Sequence, residues 1–198
     1  AVGMFAGSSI NSVVIPQISA EELVDVSGMF MDCKQLAYIE VSENFSAPKL
    51  CKFDYFFKGC SSLTGHDYDG GGKTTIRIPE NITIATDNVS MNSYLEDCTA
   101  LQRFKFVKNI NLSSTYNMLK GCTNLYRGTI VGMNFLTINN SENIDGMLEG
   151  SMENVEFIEL NNDNYNEETN AIKIADDEEE YLIPKEPIKV DVKYVAGY

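Results

Sequence analysis

The 198 residues carry 29 acidic and 15 basic side chains, a formal net charge of −14, and 43% of them are hydrophobic. That is ample material for one continuous core, and no nucleic-acid partner is expected: the acidic run Asp176 to Glu180 argues against binding nucleic acid or an anionic membrane through that end. No apolar run approaches the length of a membrane-spanning helix, so no direct membrane insertion is expected, and no charged-then-apolar signal segment opens the chain.

In chain order, a five-residue phrase returns six times. It reads Met4-Phe5-Ala6-Gly7-Ser8, Met29-Phe30-Met31-Asp32-Cys33, Phe56-Phe57-Lys58-Gly59-Cys60, Tyr94-Leu95-Glu96-Asp97-Cys98, Met118-Leu119-Lys120-Gly121-Cys122 and Met147-Leu148-Glu149-Gly150-Ser151. Two bulky apolar residues are followed by a free position, then Gly or Asp, then Cys or Ser. The starts lie 25, 27, 38, 24 and 29 residues apart, at or near the period of leucine-rich repeats. Such a unit is too small to bury its own apolar face and is stable only when stacked on its neighbours. Because the chain begins inside a repeat, an upstream cap or further repeats are expected.

After each phrase comes a short run of alternating apolar residues: Ile10 to Ile15, Leu36 to Val41, Leu101 to Phe106, Leu125 to Ile130 and Val155 to Leu160. In the third repeat an insertion, residues 66–74, precedes Thr75-Ile76-Arg77-Ile78. Alternation with period two predicts strands with one apolar side turned to the core. The phrase itself is predicted to form a one- to two-turn helix or 3₁₀ piece on the opposite wall.

These residues resemble the BspA-type leucine-rich repeats of bacterial and protist surface proteins, whose pattern is Met-Phe-x-Gly-Cys-x-x-Leu-x-x-Leu-x-Leu. Phe56-Phe57-Lys58-Gly59-Cys60-Ser61-Ser62-Leu63 comes close to it. The resemblance spans roughly residues 4–160. Two phrases depart from it by carrying Ser for Cys, and the third repeat by its insertion. It implies an α/β solenoid with a parallel sheet on one face and short helical segments on the other. Two domains are expected: a solenoid of about six repeats over 1–160, and an acidic, β-rich tail over 161–198 that caps it or opens a further domain.

Cys33, Cys60, Cys98 and Cys122 occupy one repeat position. Ser at the two equivalent sites, and the absence of C-x-x-C spacing, favour buried structural thiols over a metal site or a disulfide framework. Cys51 lies outside that series and is expected to be the more exposed thiol. The tail concentrates the charge, with 14 acidic and 4 basic residues over 149–198. Ile172-Lys173-Ile174 and Tyr181-Leu182-Ile183, either side of Asp176 to Glu180, predict a hairpin, and Ile188 to Val195 a third strand.

Motifs for chemistry are weak. Gly70-Gly71-Gly72-Lys73-Thr74 has Asp67 where a phosphate-binding loop needs its first Gly, and it leads into a strand instead of a helix. Asp67-Tyr68-Asp69-Gly70 lacks the later ligands of a calcium loop. The lone His66 has no repeated partner for a nucleophile. Sequons at Asn44, Asn81, Asn88, Asn111 and Asn139 matter only in a eukaryotic secretory host. No enzyme, metal or cofactor is expected.

The strand frame projects Ser12 and Val14, Tyr38 and Glu40, Thr75 and Arg77, Arg103 and Lys105, Arg127 and Thr129, and Phe157 and Glu159 outward in two columns. Arg77, Arg103, Lys105 and Arg127 form a cationic strip with Tyr38 and Phe157 toward its ends. Such a strip suits an acidic protein or a glycan; a solvated face partly balanced by Glu40 and Glu159 is the competing expectation. The family resemblance implies a cell-surface or secreted binding module that works in adhesion. The alternative is a structural or receptor-binding part of a larger assembly such as a bacteriophage virion. Oligomeric state is left open.

Overall fold

The computed structural model describes residues 1–42, 44–66, 74–78, 82–134, 143 and 145–151, together with the strand segments 157–160, 165–166, 171–173 and 180–182. Residues 78, 127–132, 134 and those four segments are described by backbone alone. The expected α/β solenoid is not what forms. Among the described residues there is no α-helix, Asn143 alone has 3₁₀ geometry, and short strands fall into small, separate sheets. β1 (Ser12–Ile15) and β2 (Tyr38–Val41) make a two-stranded parallel sheet. β3 (Ile76–Ile78), β4 (Val89–Ser90), β5 (Arg103–Ser114), β6 (Arg127–Asn134) and β7 (Phe157–Leu160) make a second parallel sheet. Its order is β3-β5-β6-β7, with β4 on the far half of β5.

The reason no helix forms is local. Gly3, Gly28, Tyr55, Ser93, Asn117 and Gly146 immediately precede the phrases, and Gly7, Asp32, Gly59, Asp97, Gly121 and Gly150 are their fourth residues. All have φ between 52° and 74°. A right-handed helix cannot hold a left-handed residue at both ends of one turn. Each phrase instead folds as consecutive tight turns whose N–H groups divide their work. In the second repeat Met29, Met31 and Cys33 donate to the carbonyls three residues back at 3.0–3.1 Å. The intervening Gly28, Phe30 and Asp32 donate to the carbonyls of Asp54, Phe56 and Lys58 in the next repeat at 2.7–3.0 Å. A helix would direct its N–H groups along its own axis, toward carbonyls four residues back, and not sideways to the neighbouring repeat.

The same division recurs from Gly3 through Gly121, so each of the first five phrases hands its alternate donors to the phrase that follows. Between strand and phrase, further parallel bridges join Ser19 to Ser46 and Ser46 to Thr83, and Asp25 to Lys52 and Lys52 to Ser90. Apolar columns fill the space enclosed. Phe5, Phe30 and Phe57 stack with ring centroids 5.5 and 5.9 Å apart, and Leu95, Leu119 and Leu148 continue that column buried. From the strand side Leu36, Ile39, Leu101, Phe104, Phe106 and Leu125 are buried while Lys105 is exposed, so the strand frame has the expected parity.

The insertion divides the two parallel sheets. His66 and Thr75 close its neck through an antiparallel bridge, with N–H to O distances of 3.2 and 3.0 Å. In the tail, β8 (Tyr165–Asn166), β9 (Ala171–Lys173) and β10 (Glu180–Leu182) form an antiparallel sheet of order β10-β9-β8. The expected pairing across the acidic run is present, with Tyr181 opposite Ile172. The third strand expected at Ile188 to Val195, and the side chain of Ile158, lie outside the described residues.

Candidate ligand-facing sheet

The register of the second sheet decides which candidate residues meet. Arg77 lies opposite Lys105, and Lys105 opposite Thr129, then Glu159. Arg103 lies opposite Arg127, and Arg127 opposite Phe157. The four cations thus form a stagger across three strands: Arg77 on β3 beside Lys105 on β5, and Arg103 on β5 beside Arg127 on β6, with partners about 4.8 Å apart and Arg103 and Lys105 two residues apart on one face of β5. Arg77 and Lys105 are exposed and Arg103 is half-buried; Arg127 and Phe157 are placed by backbone register alone. Among the described residues neither Arg103 nor Lys105 forms an ion pair; the three ion pairs lie elsewhere.

Tyr38 does not join this group. It sits in the two-stranded sheet, half-buried, with its ring edge-on to His66 at a centroid distance of 5.5 Å. Its position is the neck of the insertion, not the end of a continuous sheet face. The glycine-rich loop 70–73 and Asp67 to Asp69 lie outside the described residues, and the strand that follows is β3.

The phrase position read as free holds an ordered set of charges. Lys58 Nζ bonds Glu96 Oε2 at 2.8 Å, and Lys120 Nζ bonds Glu149 Oε2 at 2.9 Å. Burial pushes the Glu96 carboxyl up, but hydrogen bonds from Lys58 and Ser93 and the charges of Lys58 and Lys120 more than offset it, leaving it below the usual carboxylate range. Four successive phrases therefore carry Lys, Glu, Lys, Glu in one column. Writing the six phrases one beneath another is the signal that finds it. A second polar series runs beside it. Asp54 Oδ1 accepts from Ser90 Oγ and, at 2.8 Å, from the Asn92 N–H; Asn92 Oδ1 accepts from Ser114 Oγ and, at 3.0 Å, from the Tyr116 N–H.

The repeat thiols are hydrogen-bond donors. Cys33, Cys60, Cys98 and Cys122 Sγ donate to the carbonyls of Phe5, Phe30, Phe57 and Leu95, one repeat back, at 3.0–3.2 Å. All five cysteines are free, and Cys51, expected to be exposed, is half-buried. Burial pushes the Cys60 and Cys122 thiols up to about 12 and Cys98 well above the ordinary value. Such thiols are poor nucleophiles and poor metal ligands. Among the described residues no group of three His, Cys, Asp or Glu side chains is placed to hold a metal ion, and no helix is long and apolar enough to cross a membrane. No family model, no curated protein and no solved structure matches the chain.

Proposed function

We propose that the chain is a non-enzymatic binding module that engages an anionic protein or glycan through the β3-β5-β6-β7 sheet. One observation carries this reading: the register sets Arg77 beside Lys105 and Arg103 beside Arg127 in a chain of net charge −14. Like charges directly opposite one another destabilise a sheet. An anionic partner is favoured by that concentration of positive charge, and complementary charge also speeds encounter. The likeness of the phrases to BspA-type repeats supports adhesion at a cell surface or in the secreted medium as the setting.

The test is retention on immobilised sulfated dextran and on immobilised poly-glutamate, as a function of salt. Retention is expected on at least one surface and is expected to weaken as salt rises, since the screening length is about 8 Å at physiological ionic strength. Arg103→Glu with Lys105→Glu should abolish retention with little effect on folding. Lys49→Glu with Lys52→Glu is the control, because Lys49 pairs with Glu22 and Lys52 is bridged to Ser90 of β4, beside the far half of β5 and outside the β3-β5-β6-β7 order. Equal retention of the two variants would mean that the cationic group is a solvated face.

A further inference from the structure

We propose that Tyr55 and Tyr116, which belong to the turns and not to the β3-β5-β6-β7 sheet, form a second binding site whose ligand is a proline-rich peptide in the polyproline II conformation. Past Val24 they are the only exposed large hydrophobic residues among those described, at 44% and 43% exposure. Asn92, in the repeat between them, fixes both. The Tyr55 N–H donates to the Asn92 carbonyl at 2.7 Å, and the Tyr116 N–H donates to Asn92 Oδ1 at 3.0 Å. The Ser93 N–H adds a third link by donating to the Tyr116 carbonyl at 2.7 Å. Ser93 is buried and Asn92 half-buried, so the middle repeat sets no bulky side chain between the two tyrosines.

Tyr55 stands where the backbone disfavours it. Its φ is 58°, and the equivalent positions hold Gly3, Gly28, Ser93, Asn117 and Gly146. A bulky residue in the left-handed region costs free energy, and such strain gathers at ligand sites. Packing of the fold does not call for an aromatic here, since the same turn forms on glycine in three other repeats. The ring stays exposed while the Lys58 ammonium lies over it, 5.8 Å from the centroid.

Spacing and chemistry select the occupant. Parallel bridges run from Lys52 to Ser90 and from Ser90 to Ser114, just before the two tyrosines. Their backbones therefore lie two rungs apart, about 9.6 Å. A polyproline II helix repeats every three residues, about 9.3 Å, so residues i and i+3 on one face of it each meet a tyrosine. The cations nearby are already paired, Lys58 with Glu96 and Lys120 with Glu149, so the site calls for no charge on its ligand. Proline offers carbonyl acceptors and no N–H, which matches tyrosine hydroxyls as donors. A preformed polyproline helix also loses little entropy on docking against aromatic rings.

Titration with a decaproline peptide, followed by calorimetry and by backbone amide NMR, tests this. Wild type is expected to bind it, with the Tyr55, Ser93 and Tyr116 amide signals moving, and high salt is expected to leave the affinity unchanged. Tyr116→Ser and Tyr55→Gly should each weaken binding about tenfold or more. Tyr55→Gly should melt no lower than wild type, because glycine adopts the left-handed region without strain. Arg103→Glu with Lys105→Glu should bind decaproline as wild type does, which separates this site from the sheet. Absence of binding by wild type, binding retained by either tyrosine variant, a Tyr55→Gly variant that melts below wild type, binding lost in the Arg103/Lys105 variant, or binding of cellohexaose in place of decaproline would each overturn the proposal.

Discussion

Lys58 Nζ and Glu96 Oε2 stand 2.8 Å apart although 38 residues separate them in the chain. The pair is partly shielded, with side chains 34% and 11% exposed. A double-mutant cycle of Glu96→Gln and Lys58→Met should return a coupling of about 1 kcal/mol or less. The sign with pH follows from the shifts. Glu96 is depressed below its ordinary 4.5, so its contribution is present above that value and is lost as pH falls through the folded-state value. Lys58 is raised above 10.5 by its hydrogen bond to Glu96, so its contribution is lost only at strongly alkaline pH. Denaturation of wild type and Glu96→Gln should therefore converge in acid and differ at neutral pH.

Phe104 and its neighbour Lys105 test the strand parity directly. Phe104 is 2% exposed and packs against Phe106 at a centroid distance of 5.1 Å. Phe104→Ala should cost about 3–5 kcal/mol through the cavity it leaves. Lys105→Ala should change stability by no more than about 0.5 kcal/mol. Urea unfolding of the two variants separates these outcomes; a Lys105→Ala cost as large as that of Phe104→Ala would contradict the fold.

Gly65, at the neck of the insertion, has φ +90° and no space: a Cβ there would overlap the backbone of Thr75 and Ile76. Gly3 has φ +61° with nothing within 4 Å. Gly3→Ala should cost about 1–2 kcal/mol, the price of a left-handed alanine. Gly65→Ala should cost clearly more, because backbone atoms cannot rotate aside. Comparable melting temperatures for the two variants would rule out the His66–Thr75 closure.

The buried thiols predict both reactivity and alkaline behaviour. Cys60 and Cys98 should resist alkylation in the native state and react quantitatively in denaturant. Because the folded state holds the protons of Cys60, Cys98 and Cys122 more tightly than the unfolded chain, their contribution is complete below the ordinary 9.0 and declines as pH rises from there toward about 12. Cys60→Ser should be mild and should flatten part of that decline, since Ser already serves at the equivalent Ser8 and Ser151. Rapid native alkylation of Cys60 would show the site to be open.

Much of the packing could be read from residue pattern. The six phrases named the apolar pairs that are buried, from Phe30 to Leu148, and period-two alternation separated Phe104 from Lys105, because burial parity is a property of neighbouring residues. Three features were not legible in the same way. Left-handed backbone at Tyr55, Ser93, Asp97 and Asn117 has a weak residue signature, so residue pattern alone predicts helix where turns form; the glycine pairs Gly3/Gly7 and Gly146/Gly150 are the signal against it. The break between β2 and β3 depends on where the neck of the insertion closes, which moved Tyr38 onto His66 and away from Arg77, Arg103, Lys105 and Arg127. Repeats of unequal length also disguise which charges are neighbours. Composition and pattern determine which side chains leave water, since that is set residue by residue. Which backbone donors pair within a turn and which pair with the next repeat is settled only when the repeats stack, because a hydrogen bond such as Phe30 N–H to Phe56 or Phe57 N–H to Tyr94, between residues 26 or 37 apart, depends on the position of both.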